Sequence, residues 1–323
     1  MRDAVVARAL RPGESVGIVT PSWPISMSPS PDPMLELERG MEVLRDLGLD
    51  PFLSDHALAE DGYMAGSPQE RANDINALFA DPGVAGIIAS HGGHVAQSVL
   101  PHLDWEVIAA NPKVFMGFSN MTTLNLAIHA LTGLITFNGN MVIWHLGMDP
   151  TEYDLSEFRA VLMEGRTGAI AKNSEWRVVR RGPPGTGSLI GDAVALRGLA
   201  GTAYALPLDR DLVLFFEGIV DAPGIVDTQL RHLEQMGVFD RTRGVLIGSD
   251  GAGFTGAAPE VPFSTILLDV TSAYDFPILE CDDFGHGVPN TVLPIGIRAR
   301  LDAEGASLDL LDPPVAHAGE RQT

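Results

Sequence analysis

The chain has 323 residues, 45% hydrophobic and 20% charged. That composition excludes global disorder, and at roughly 150 residues per domain the length suggests two domains. With 21 basic against 42 acidic residues the formal charge is −21, which disfavours a nucleic-acid polymer or an anionic lipid surface as partner.

The N-terminus carries Asp3 and has no apolar stretch ahead of Arg8 and Arg11, so no export signal is expected. The first compact apolar run, 15–20, reads as a strand and is stopped by turn residues through Pro33. Met34, Leu37, Met41 and Leu44 then recur at spacings of three and four, which places them on one helical face, with Gly48 just past its end. Ser67-Pro68-Gln69-Glu70 is a capping box with proline in the first helical position, opening a helix to about Phe79. Runs 84–89 and 113–118 read as buried strands, 121–131 as a helix closed by Gly133, and 134–137 as extended chain. The apolar window 124–146 is interrupted by Asn125, His129, Asn138, Asn140 and His145, so no membrane span is expected.

Strands alternating with helices of this length predict an α/β fold with a parallel sheet. From 151 to 186 the pattern loosens into a connector, with a helix over 154–162 and loop chemistry over 180–187. Strands resume at 212–216, 244–247 and 277–281, with a helix over about 227–236 between the first two. The small, polar tail after Asp312 reads as frayed. The organisation expected is therefore an N-terminal α/β domain over 1–150, a connector over 151–186 and a smaller α/β domain over 187–323. Cys281 is the sole cysteine. It can form no internal disulfide and offers no zinc-finger pair, so the chain reads as a reduced, cytoplasmic protein.

Three polar residues stand immediately after apolar runs: Ser119 after 114–118, Glu217 after 212–216, and His286 just past 277–281. In open α/β sheets, ligands bind beyond the carboxyl ends of the strands. A hydroxyl, an imidazole and a carboxylate meeting there would form a nucleophile, its base, and the group that orients the base. Gly117-Phe118-Ser119-Asn120 resembles a nucleophile elbow, although Met121 stands where such elbows carry their second glycine. Ser90-His91-Gly92-Gly93-His94 follows the 84–89 strand, and its paired glycines would let backbone N–H groups approach a developing oxyanion.

Together these segments resemble the LD-carboxypeptidase family of serine peptidases, which includes microcin C immunity proteins. The resemblance is carried by residues 17–22, the Gly92-Gly93 turn with 100–104, the block 111–124, Leu214-Phe215-Phe216-Glu217, and 286–290 with 293–299. It implies two α/β domains with the site in the cleft between them. It further implies a catalytic Ser119, Glu217 and His286, an oxyanion hole from the backbone at Gly93 and Asn120, and a substrate-binding role for Ser22 and Gly92. No metal or organic cofactor is implied. The implied partner is a small peptide or aminoacyl-amide substrate, and the implied assembly a homodimer. Murein tetrapeptide is the main substrate class, and a peptidyl or aminoacyl nucleotide, or another natural-product amide, the alternative.

The chain departs from the family pattern at four places: Asn120 where an acid usually follows the nucleophile, His91 and His94 around the glycine turn, Asp192 where the family has asparagine, and a short connector. In that connector, Trp176, Arg177, Arg180 and Arg181 form the densest positive cluster of the chain. Trp176, Arg180 and Arg181 are expected to hold an anionic or planar part of the substrate. Two other classes stay open: a metallohydrolase built on His91 and His94 with Asp282, Asp283 and His286, and a non-catalytic small-molecule-binding protein.

Overall fold

The computed structural model describes residues 2–217, 222–249, 261–287 and 289–317. In the first half, β1 (Ser15–Val19), β2 (Asp50–Leu53), β3 (Val84–Ala89), β4 (Val114–Met116) and β5 (Thr136–Asn138) pair in parallel in the order β5-β4-β3-β1-β2. Three of them, β1, β3 and β4, are apolar almost throughout, as strands buried on both faces tend to be. Helices cover the faces, and their ends carry the expected chemistry. Ser67 Oγ accepts from the Glu70 N–H at 3.2 Å while Glu70 Oε2 accepts from the Ser67 N–H at 2.8 Å, opening the helix Pro68–Ala80. The helix Pro33–Asp46 starts on Asp32 and is followed by Gly48 at φ 88°, a left-handed position that suits glycine. Gly40 on that helix lets it press onto the chain at Val142, whose carbonyl lies 2.0 Å from where a Cβ would stand.

The second half builds an eight-stranded mixed sheet from β6 (Gly168–Ala169), β7 (Arg177–Arg180), β8 (Gly185–Ile190), β9 (Leu212–Phe216), β10 (Thr242–Ile247), β11 (Ile278–Glu280), and then, past β12 (Leu293–Ile295), β13 (Arg298–Asp302) and β14 (Ser307–Leu310). Its order is β6-β14-β13-β8-β9-β10-β11-β7, parallel from β8 to β11. β12 leaves this half and adds antiparallel to β5 at the edge of the first sheet, where Pro294 is tolerated.

Two expectations are corrected. The stretch read as loop chemistry over 180–187 supplies the end of β7 and the start of β8. Its glycines serve close approach: a Cβ on Gly185 would stand 1.6 Å from the Arg243 carbonyl oxygen, and one on Gly187 2.7 Å from Asp211. The tail is pinned as far as it is described. The Ala9 N–H donates to the Ala316 carbonyl at 2.9 Å, the Ala316 N–H to the Ala7 carbonyl at 2.8 Å, and Val315 is fully buried. Residues 318–323 lie outside the described residues.

Candidate active site

Ser119, Glu217 and His286 each follow the carboxyl end of a strand in a parallel array (β4, β9 and β11), and all three line one cavity of about 620 Å³. Ser119 occupies φ 59° at the turn from β4 into the helix Thr122–Thr132. A non-glycine residue held in the left-handed region costs of order 1–2 kcal/mol. The turn is held against the Gly92-Gly93 corner. A Cβ on Gly92 would lie 3.0 Å from Ser119 Oγ and 3.6 Å from the Asn120 nitrogen, so a side chain there would crowd the hydroxyl.

Asn120 braces this corner. Its Oδ1 accepts from Ser22 Oγ at 2.8 Å and from the Ala96 N–H at 2.8 Å, and Ser22 Oγ accepts from the Val95 N–H at 3.1 Å. The amide oxygen makes both contacts as a neutral acceptor. Ser22, expected to bind substrate, is fully buried in this brace and is absent from the cavity lining; the expectation is corrected because both its hydrogen bonds are spent on the protein. Arg71, which no motif marked, is buried beneath the same corner and donates to the carbonyls of Pro21 (2.7 Å) and Val95 (3.3 Å) and to Ser98 Oγ (2.9 Å).

Glu217 ends β9 with its side chain 1% exposed, and its Oε2 lies 2.9 Å from His286 Nδ1. Burial pulls the His286 pKa down, but the charge and hydrogen bond of Glu217, with the charge of Asp192, outweigh it and leave the imidazole above its ordinary value. The Phe118 ring sits 4.8 Å from the imidazole. The His286 loop turns on Gly285 (φ 119°) and Gly287 (φ 78°). Asn290 holds it: Oδ1 accepts from the Gly285 N–H at 2.7 Å and Nδ2 donates to the Gly285 carbonyl at 3.1 Å. The Asn290 N–H donates in turn to Asp154 Oδ1 at 2.7 Å, an oxygen that also takes Asn140 Nδ2 at 3.1 Å. The sequence marked neither Asp154 nor Asn290 as a support of the site, since they stand 136 residues apart.

The expected recognition cluster is not at the cavity. Trp176 is buried and its Nε1 donates to Asp283 Oδ2 at 2.6 Å. Arg180 donates to the carbonyls of Phe276 and Thr271, each at 2.8 Å, and stacks 4.4 Å over the Phe276 ring. Arg181 is exposed, and none of the three lines the cavity. Packing between β7 and its neighbours absorbs the two that looked most like ligands. Aromatic surface in the cavity comes instead from Trp23, 4.8 Å edge-on to His94, and from Trp144. His91 lines the cavity, burial pushing it down to about 4 against a weaker opposite pull from the Pro24 carbonyl. Among the described residues, no group of three or more His, Cys, Asp or Glu side chains is placed to hold a metal ion, and no helix is long and apolar enough to cross a membrane.

Two family models match the chain: the LD-carboxypeptidase N-terminal domain over residues 16–139 and the LD-carboxypeptidase C-terminal domain over 186–301. A putative carboxypeptidase of Streptomyces coelicolor is 32% identical, covering 99% of this chain and 100% of that protein. A probable murein peptide carboxypeptidase of Bacillus subtilis is 28% identical over 91% of each. Among solved structures, the microcin C7 self-immunity protein MccF in complex with aspartyl sulfamoyl adenosine superposes with a TM-score of 0.85 at 24% identity, covering 97% of this chain and 100% of that one. The two family models together span most of the chain, and with the Streptomyces coelicolor relative they show that the chain belongs to the LD-carboxypeptidase family.

Proposed function

We propose that this carboxypeptidase-family chain cleaves an amide through an acyl-serine intermediate. Ser119 Oγ attacks the carbonyl while His286 takes its proton and passes it to the leaving amine; water then releases the acyl group with His286 again as base. Glu217 holds the imidazole with its Nδ1–H pointed at the carboxylate, which leaves Nε2 as the base. The backbone N–H groups of Gly93 and Asn120 hold the oxyanion. The observation that carries the reading is the 2.9 Å Glu217–His286 pair lining the same cavity as a serine held at φ 59°. Murein tetrapeptide is the substrate class this reading favours, supported by a probable murein peptide carboxypeptidase of Bacillus subtilis and a murein tetrapeptide carboxypeptidase of Pseudomonas aeruginosa among the relatives. Ser119→Ala tests the mechanism: turnover of a murein tetrapeptide should fall by several orders of magnitude with the fold intact, and retained turnover would refute it.

A nucleotide-bearing amide is the second reading, because Trp23 and Trp144 line the cavity and an indole face stacks on a base. The solved relative holds an aspartyl sulfamoyl adenosine. Inhibition of tetrapeptide cleavage by AMP, lost in Trp23→Ala or Trp144→Ala, would favour it. A cytoplasmic homodimer belongs to the same proposal, and sedimentation of the purified chain tests its assembly.

A further inference from the structure

We propose that Arg197 is the anion anchor of the cavity, and that it holds the free carboxylate on the leaving side of the scissile amide. Arg197 lies on the helix Ala193–Leu199 and lines the cavity together with Ser119, Glu217 and His286. Among the described lining residues it is the one lysine or arginine. Its Nε is buried without a hydrogen-bond partner. Arg166 and Arg180 also have one buried nitrogen unpaired, but their remaining nitrogens grip Glu157 and the carbonyls of Phe276 and Thr271. No such contact holds Arg197 among the described residues.

A guanidinium stays charged at any working pH, and a buried donor left unsatisfied costs of order 1–3 kcal/mol. In a chain with twice as many acids as bases, an arginine that ends in a cavity unpaired is most simply kept for a ligand. Its planar fork matches a carboxylate bidentately. Its position is fixed relative to the glycine corner, because Gln97 Nε2 donates across to the Gly198 carbonyl at 3.1 Å. The two acids of the lining, Asp192 and Glu217, disfavour an anion near themselves, and Glu217 is committed to His286. That leaves Arg197 as the place where the lining favours a carboxylate.

The inference rests on the amide-hydrolase reading, since a carboxypeptidase substrate ends in such a group beyond the bond it loses. An acylated L-Lys-D-Ala peptide, as free acid and as C-terminal amide, is offered to the wild-type chain, Arg197→Gln and Arg197→Lys. The wild type should prefer the acid. In Arg197→Gln the acid-over-amide ratio of kcat/KM should fall by about 10- to 100-fold, the worth of a charge-assisted contact, and Arg197→Lys should restore part of it. An unchanged ratio overturns the anchor while leaving the hydrolase reading intact. So does an unchanged ratio accompanied by weaker AMP binding, which would assign Arg197 to a phosphate. If the wild type cleaves neither peptide, calorimetry of both on the Ser119→Ala protein decides: tighter binding of the acid that Arg197→Gln removes supports the anchor, and equal or absent binding overturns it.

Discussion

Replacing Glu217 by glutamine keeps the shape of the site and removes one charge. The carboxylate is 1% exposed and 2.9 Å from His286 Nδ1, so solvent does little to screen the bond. Losing a charge-assisted hydrogen bond of this kind is worth about 1.5–3 kcal/mol, which alone slows turnover by about 10- to 100-fold. The tautomer adds to that. A carboxylate can only accept and so fixes the proton on Nδ1, whereas an amide can present its NH₂ to Nδ1 and leave the proton on Nε2, where the base is needed. The corresponding change in the chymotrypsin-type triad lowers kcat by about 10⁴, so Glu217→Gln should lose between about 10² and 10⁴. The pH profile supplies an independent sign. Burial pulls the imidazole down and Glu217 pulls it up, with the upward pull winning, so the acid limb of wild-type kcat/KM should lie above pH 6.5, the ordinary histidine value. Without Glu217 burial remains, and the limb should move to lower pH even as the plateau falls. Rates measured from pH 5 to 9 for both proteins check this. A plateau within threefold of the wild type and an unmoved limb would refute the role given to Glu217.

Gly92→Ala should cut kcat by at least tenfold with little loss of stability, because the added Cβ meets Ser119 Oγ at 3.0 Å; unchanged kcat would show that the hydroxyl has room. Ser119→Gly should be more stable than Ser119→Ala by about 1 kcal/mol, since glycine alone relieves a residue at φ 59°, and urea denaturation of the two variants reads the difference. His91 and His129 are each pushed down to about 4 by burial, with backbone carbonyls opposing weakly. The unfolded chain takes up those protons near pH 6.5, so stability should fall as pH drops from 6.5 to about 4, by about 3 kcal/mol per histidine. His129→Gln should flatten that dependence in urea titrations, and an unaltered slope would contradict it.

The elements readable from the chain were those whose signal lies within one turn or one strand. The Ser67–Glu70 box and the apolar runs of β1, β3, β4, β9 and β11 needed no distant partner. The same holds for the polar residues ending β4 and β9 and the one just past β11, because a strand in a parallel sheet advertises its burial and its end in consecutive residues. The glycines of β8 were misread because a glycine that admits another backbone looks the same in sequence as one that turns.

What the chain by itself determined was the alternating layout and the three positions at which a hydroxyl, a carboxylate and an imidazole leave their strands. Tertiary structure decided which charged and aromatic groups face the cavity. Arg180 is spent on carbonyls 91 and 96 residues away, Trp176 on an acid 107 residues away, and the buried Arg197 Nε on none of the described residues. Local patterning records the preferences of neighbouring residues, whereas the satisfaction of a long polar side chain depends on which groups packing brings to it.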